Sequence, residues 1–229
     1  MSIACKNVLA IDTSGSFCSV AVLNDSGAIA SLSSAGSGDH FEQLPLMVGR
    51  ACADAGISPS DLRAIRIGVG PGSFTGLRIG MSFAKGLAWS LRVPLLGCSS
   101  LAGAATAVMS RDSSVGRVVV LADARRDEVF AAAYTRGAPV VEEVAPCIVP
   151  VGELAGSTWT QPGTRWATPQ RDFIPAGCEV VSEACVAEGL LMVPVNGSRA
   201  FSLEEIAVLE PTYLRAVAAK TIEERKQGA

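Results

Sequence analysis

The sequence predicts an α/β protein: a mixed sheet with helices on both faces, followed by a smaller unit of related design. Three observations predict it. The chain opens on three strand candidates in a row, NVLAID (7–12), FCSVAVL (17–23) and AIASLS (28–33). Helical periodicity and short buried strands then alternate as far as residue 110, the order that a mixed sheet with covering helices requires. A second strand-rich opening, RVVVLADAR (117–125) and EVFAAAYT (128–135), echoes the first and points to a degenerate internal duplication.

Each element has its local reason. NVLAID is a continuous apolar run ending in Asp12, the pattern of a central strand buried on both faces. NDSG (24–27) between the second and third strands is a hairpin signal, so the three should form an antiparallel meander. In DHFEQLPLMVGRACADAG, Phe41, Leu44, Val48, Ala51 and Ala55 recur at helical spacing and Gly56 closes the segment. Pro45 is tolerated only near a first turn, which places the helix start around Glu42. AIRIGVG (64–70) reads as a short buried strand, and a helix is expected from about Leu77 to Leu91. VPLLGCS (93–99) and SLAGAATAVM (100–109) complete a β-β-β-α-β-α-β-α unit over residues 1–110. A reduced unit over 111–200 follows, with PVVEEVAPCIV (139–149) as a weaker third strand and only short elements from about 150 to 198. Residues 201–229 are read as a helix with a Ser202–Glu205 capping box, broken at PTYLR (211–215), then a frayed charged tail.

Composition narrows the function classes. With 229 residues, 49% of them hydrophobic and 18% charged, the chain has enough apolar material for packed cores. A net charge of −3 without a Lys/Arg cluster gives no electrostatic basis for binding nucleic acid alone. The seven cysteines are scattered, form no C-x-x-C, and mostly sit in apolar stretches as small hydrophobes. The N-terminal apolar run is cut by Lys6 and Asp12, which makes a poor signal peptide. No segment reaches the ~20 uninterrupted apolar residues of a membrane span. A reducing cytoplasm is the expected compartment.

The stretch GVGPGSFTGLRIGMSFAKGLAWSL (68–91) decides the functional reading. It misses the P-loop pattern, because no Lys follows its glycines, and it misses G-x-G-x-x-G, because Ser73 and Thr75 stand where the third glycine should be. Gly70, Pro71 and Gly72 instead turn the chain off a strand end, and Ser73 or Thr75 can cap the helix that follows. Within that helix Gly76, Gly80, Ala84 and Ala88 fall at i, i+4, i+8 and i+12, a stripe of small residues along one face. A glycine inside an exposed helix costs roughly 1 kcal/mol against alanine, so close approach of another element is the expected compensation. Packing inside the chain and packing against another subunit both supply it. Leu77, Met81, Trp89 and Leu91 add apolar surface on other sides. AIDTSGSFCSVAV (10–22) poses a similar choice: an ordinary Asp/Ser-capped hairpin, or the phosphate-gripping hairpin form of sugar-kinase and actin-like proteins.

Taken together, LAIDTSGSFCSVAVL, GVGPGSFTGLRIGMSFAKGLAWSL, GCSSLAGAA, LADARRDEVFAAAY and EPTYLR, in that order, resemble the bacterial TsaB (YeaZ) family. The resemblance covers residues 8 to about 135 and returns at 211–215. It implies two RNase H-like lobes of the sugar kinase/Hsp70/actin superfamily, the second reduced. It further implies a dimerisation subunit for the TsaD transferase, which forms threonylcarbamoyladenosine beside the anticodon of tRNA. TsaE, an ATPase, joins that complex, TsaC makes the threonylcarbamoyl-adenylate, and tRNA is met only through the complex. The family's two interface helices correspond to residues 41–55 and 77–91, which assigns Phe41, Leu44, Val48, Gly76, Leu77, Gly80, Met81, Ala84 and Ala88 to the partner interface. A homodimer is the alternative assembly when the chain is alone.

No catalytic residue is expected. The paralogous transferase holds a metal through H-x-x-x-H, whereas the one histidine here, His40, is followed four residues on by Leu44. LADARRDE lacks the glycine that would let backbone approach a phosphate. Asp12, Thr13 and Ser14 are then at most a relic of an ancestral phosphate hairpin. No metal and no cofactor of the chain's own are expected, with ATP or ADP admitted only where it meets its partner. An ATP-dependent enzyme using Asp12 and a metallopeptidase are the competing readings.

Overall fold

The computed structural model describes residues 6–34, 40–137, 140–170, 179–180, 183–193, 200–201, 203–206 and 208–214. The side chains of His40 and Phe41, the Ser202–Glu205 capping pair and the tail from residue 215 lie outside this description.

The first unit runs β1 (Val8–Asp12), β2 (Ser19–Leu23), β3 (Ile29–Ser33), α1 (His40–Asp54), β4 (Ala64–Gly68), α2 (Phe74–Leu91), β5 (Leu95–Cys98) and α3 (Ser100–Arg111). Its sheet has the order β3-β2-β1-β4-β5. β1, β2 and β3 pair antiparallel through the Asn24–Gly27 turn, while β1, β4 and β5 run parallel. The second unit repeats the pattern with β6 (Arg117–Arg125), β7 (Glu128–Thr135), β8 (Val141–Pro150), β9 (Thr164–Thr168), β10 (Glu179–Val180) and α4 (Glu183–Met192). Its order is β8-β7-β6-β9-β10, again an antiparallel meander followed by parallel strands. This is an α/β protein of two RNase H-like lobes. The second is reduced: between β8 and β9 a single 3₁₀ turn, Val151–Glu153, stands where the first lobe has α1. β11 (Ala200–Phe201) returns to the first sheet beside β5, and α5 (Leu203–Ile206) follows it.

Two helix starts differ from the sequence reading. α1 begins at His40, with Pro45 inside its second turn on the exposed side, where the missing N–H removes only one helical bond. α2 begins at Phe74 because Ser73 is its N-cap, its hydroxyl accepting from Gly76 N at 3.2 Å. α4 was not foreseen at all. EACVAEGLLM has no clear apolar stripe, and Val186, Ala187, Leu190 and Leu191 are buried between the first sheet and α3.

Period-2 alternation sorts the first sheet onto two cores. Leu9, Ile11, Val20, Val22, Ile65 and Ile67 meet Leu44, Val48, Ala51, Met81, Ala84 and Ala88 of α1 and α2. Val8, Ala10, Ala21 and Ala64 on the other face meet Ala187, Leu190 and Leu191 of α4. α3 in turn packs on the second sheet, through Leu101, Ala104, Ala105 and Val108 against Val118, Val120 and Ala132. Each lobe's last helix therefore covers the other lobe's sheet, and α3 and α4 cross between them.

Glycines make that crossing close. A methyl group at Gly189 would overlap the Gly103 carbonyl oxygen, and one at Gly103 would lie 2.7 Å from Leu190 Cδ2. The end of α4 is held by a buried cation: Arg66 of β4 donates from Nη1 to the carbonyls of Leu190 at 2.6 Å and Val193 at 2.7 Å. A guanidinium at a helix C-terminus satisfies free carbonyls and opposes the helix dipole. Cys18, Cys52 and Cys98 are buried thiols, pushed up by burial to about 12, 11 and 11. No helix among the described residues is long and apolar enough to cross a membrane. The lobe crossing predicts that Gly189→Ala lowers stability by about 1–3 kcal/mol in urea unfolding, since backbone on both helices must move; an unchanged midpoint would mean that the helices are not in backbone contact.

Candidate functional site

β1 ends in Asp12, whose Oδ1 accepts from Ser14 N at 3.0 Å and Ser14 Oγ at 2.7 Å, closing the hairpin turn. Asp12, Thr13 and Ser14 are all buried. Gly68 lies directly beneath: a methyl there would overlap Asp12 Oδ2 and come within 2.6 Å of Ser100 Oγ. Ser100, at the first turn of α3, accepts from Gly70 N at 3.2 Å and donates its own N–H to Gly70 O at 3.0 Å. Burial pushes the Asp12 carboxyl up, against the pull of hydrogen bonds from Ser100 and Ser14. Burial outweighs that pull, and among the described residues Oδ2 has no hydrogen-bond partner.

The glycine stretch lies on top of this hairpin. Gly70 has φ +100°, a left-handed conformation that favours glycine, and precedes a cis bond to Pro71. Ser73 N then donates to Ser14 O at 2.7 Å. A side chain at Gly72 would overlap the Ser14 carbonyl oxygen, at Gly76 the Thr13 carbonyl oxygen, and at Gly80 Thr13 Oγ1. On the far side, a methyl at Gly15 would sit 3.0 Å from Pro169 O, and Gln170 Oε1 accepts from Asp123 N at 2.6 Å. The Thr13–Gly15 turn is therefore packed by the glycine stretch and α2 on one side and approached by Pro169 on the other. The corresponding turn of the second lobe holds Arg125, Arg126 and Asp127 at φ 66°, 60° and 58° with no glycine. Each such residue costs of order 1 kcal/mol, and Asp123 braces the turn by accepting from Arg125 N at 2.6 Å.

The interface residues expected from the sequence require a correction. Leu44, Val48, Gly76, Leu77, Gly80, Met81, Ala84 and Ala88 are buried within the chain's own structure. The small-residue stripe packs on the Thr13–Ser14 backbone and the first sheet, so it offers nothing to another subunit. The same two helices present a different face outward. α1 exposes Leu46 at 75%, and α2 exposes Phe74 at 44%, Arg78, Ser82, Gly86 and Trp89 at 61%. Thr75 is also exposed and does not cap the helix. The C-terminal segment joins this edge, which the sequence reading did not assign: Thr212 N donates to Val69 O at 2.8 Å, and the Tyr213 ring lies 5.2 Å from that of Phe74. The PTYL motif alone carries no signal for that contact. Among the described residues no three His, Cys, Asp or Glu side chains gather as a metal site would need.

Two pairs of outcomes test this geometry. Gly80→Ala should destabilise by about 1–3 kcal/mol, because its methyl meets Thr13. Gly86→Ala on the same helix, with nothing within 4 Å, should stabilise by about 0.5–1 kcal/mol in urea unfolding. The folded state holds the Asp12 proton to higher pH than the unfolded chain, whose carboxyl titrates near 3.8, so this group lowers stability as pH rises through that window. Asp12→Asn should therefore raise the thermal midpoint at pH 7.5, and raise it less at pH 4.5. A loss of equal size at both pH values would contradict the burial argument.

Known proteins bear on this arrangement. The sequence model of the family described as TsaD, tRNA N6-adenosine threonylcarbamoyltransferase, matches residues 34–221. The chain is 34% identical over 222 residues to the tRNA threonylcarbamoyladenosine biosynthesis protein TsaB of Escherichia coli, covering 91% of this chain and 94% of that one. It is 35% identical over 139 residues to the TsaB protein of Bacillus subtilis, covering 61% and 59% of the two chains. Among solved structures, YeaZ from Pseudomonas aeruginosa superposes with a TM-score of 0.72 at 28% identity, over 92% of this chain and 100% of that one. A second Pseudomonas aeruginosa structure, described as an uncharacterized protein with similarity to peptidase YeaZ, gives 0.74 at 29% identity with the same coverage. With the duplicated lobes and the GPGSFTGLRIG loop, these likenesses place the chain in the TsaB (YeaZ) family of tRNA threonylcarbamoyladenosine biosynthesis proteins.

Proposed function

We propose that the chain serves threonylcarbamoyladenosine formation as a non-catalytic subunit, docking on the TsaD transferase through the outward faces of α1 and α2. One observation carries the reading: α2 has two opposite edges with opposite uses. Its glycine edge packs on the Thr13–Ser14 turn, while its outward edge leaves Phe74, Arg78 and Trp89 exposed, as Leu46 is on α1. Large exposed apolar side chains grouped on neighbouring helices mark an interaction surface, and Trp, Tyr and Arg are the residues that dominate protein–protein binding energy. The subunit supports the transferase, TsaE joins the assembly, TsaC supplies its substrate, and tRNA reaches the chain only through the complex. The second lobe's turn at Arg125, Arg126 and Asp127 has no glycine to let backbone approach a phosphate, which favours this over the ATP-dependent reading.

The first test is a tRNA modification assay with purified TsaD, with and without this chain. Modification should require the chain, and a calorimetric titration of the chain alone with Mg-ATP should give no binding heat. Stoichiometric micromolar binding of Mg-ATP would favour the enzyme reading instead. Trp89→Ala and Leu46→Asp should each weaken co-purification with TsaD by about tenfold or more, with the thermal midpoint unchanged.

A further inference from the structure

Resting on that docking reading, we infer that Arg78 is the point at which the outward face of α2 grips a carboxylate of its protein partner. Phe74 and Arg78 stand one turn apart on α2 and are therefore neighbours on its surface. The guanidinium carbon lies 3.9 Å from the centroid of the Phe74 ring. Nε donates to Tyr213 Oη at 3.1 Å, and the Tyr213 ring leans on Phe74 at an interplanar angle of 37°. Tyr213 is itself fixed by its neighbour, since Thr212 N is bonded to Val69 O. The guanidinium is thus held through one face and through Nε, which leaves its two terminal nitrogens for an acceptor from outside.

Among the described residues none supplies that acceptor. Ion pairs join Arg50, Arg63, Arg111, Arg117, Arg125 and Arg165 to acidic side chains, and Arg78 makes none. A planar fork with two free nitrogens matches a carboxylate in bidentate geometry. The flanking rings of Phe74 and Tyr213 reduce the entropy lost in fixing the fork and shield the pair from water once a partner closes over it. On the docking reading the occupant of this face is a protein, and exposed Phe74 and Trp89 share the helix with Ser82 and the partly exposed Lys85, so the acceptor is a carboxylate side chain of that protein.

The test is the affinity of the full chain for purified TsaD at 50 and 300 mM NaCl, with the thermal midpoint of each variant measured alongside. Arg78→Ala should weaken binding about 30-fold and Arg78→Glu further, Arg78→Lys should recover only part of the loss, and Tyr213→Phe should cost a few-fold. The difference between the two salt concentrations should shrink in Arg78→Ala, with the midpoint within about two degrees of the parent's. If Arg78→Ala binds within twofold of the parent while Trp89→Ala binds weakly, the carboxylate grip is wrong and the docking face stands. If the parent chain itself does not bind TsaD, the docking reading fails and takes the grip with it. If millimolar inorganic phosphate competes with TsaD for the parent but not for Arg78→Lys or Arg78→Ala, the fork serves a phosphate and the assignment to a carboxylate is overturned.

Discussion

The contact between the glycine edge of α2 and the backbone of Thr13 and Ser14 is the constraint on which the rest of the structure depends. Three positions without a side chain, Gly72 just before the helix and Gly76 and Gly80 within it, let this segment lie against the Ser14 and Thr13 carbonyl oxygens and the Thr13 hydroxyl, which a Cβ would strike. Bringing α2 that close seats Met81, Ala84 and Ala88 on Leu9, Ile11 and Ile67, completing the core beneath it. Isolated helical glycines are destabilising; here the contacts they permit offset that loss. The outward edge of the same helix takes no part in that core, which leaves Trp89 exposed and Phe74 and Arg78 in contact only with Tyr213 at the surface.

The second organising feature is the exchange of terminal helices between the duplicated lobes. α3 covers the second sheet and α4 the first, so neither sheet is fully buried by its own lobe. The Gly103–Gly189 crossing and the Arg66 clamp on the end of α4 make the two lobes one packed body across that seam.

Much of this was legible in the residues. The meander, the hairpin at Asn24–Gly27, the buried β4, the start of α3 and the echo at residue 117 all follow from apolar runs and turn chemistry. What stayed hidden has physical causes. α4 lacks a polar face because both of its sides are covered, so it carries no 3.6-residue signal. The small-residue stripe announced a close neighbour but not which one, since carbonyls of the same chain and a helix of another subunit place the same demand on Gly76 and Gly80. The bond from Thr212 to Val69 joins residues too far apart in sequence for any local pattern to register. The expectation that Leu44, Val48, Leu77 and Met81 meet a partner fails for this reason: each is buried in the chain's own core.

Hydroxyl-radical footprinting of the chain, free and bound to TsaD, tests that division of faces most directly. The account predicts that Leu46, Phe74, Trp89 and Tyr213 are oxidised in the free chain and protected in the complex, while Leu77 and Met81 stay unreactive in both. Strong labelling of Leu77 and Met81 in the free chain, lost on binding, would mean that the inner edge of α2 meets the partner and would contradict the account.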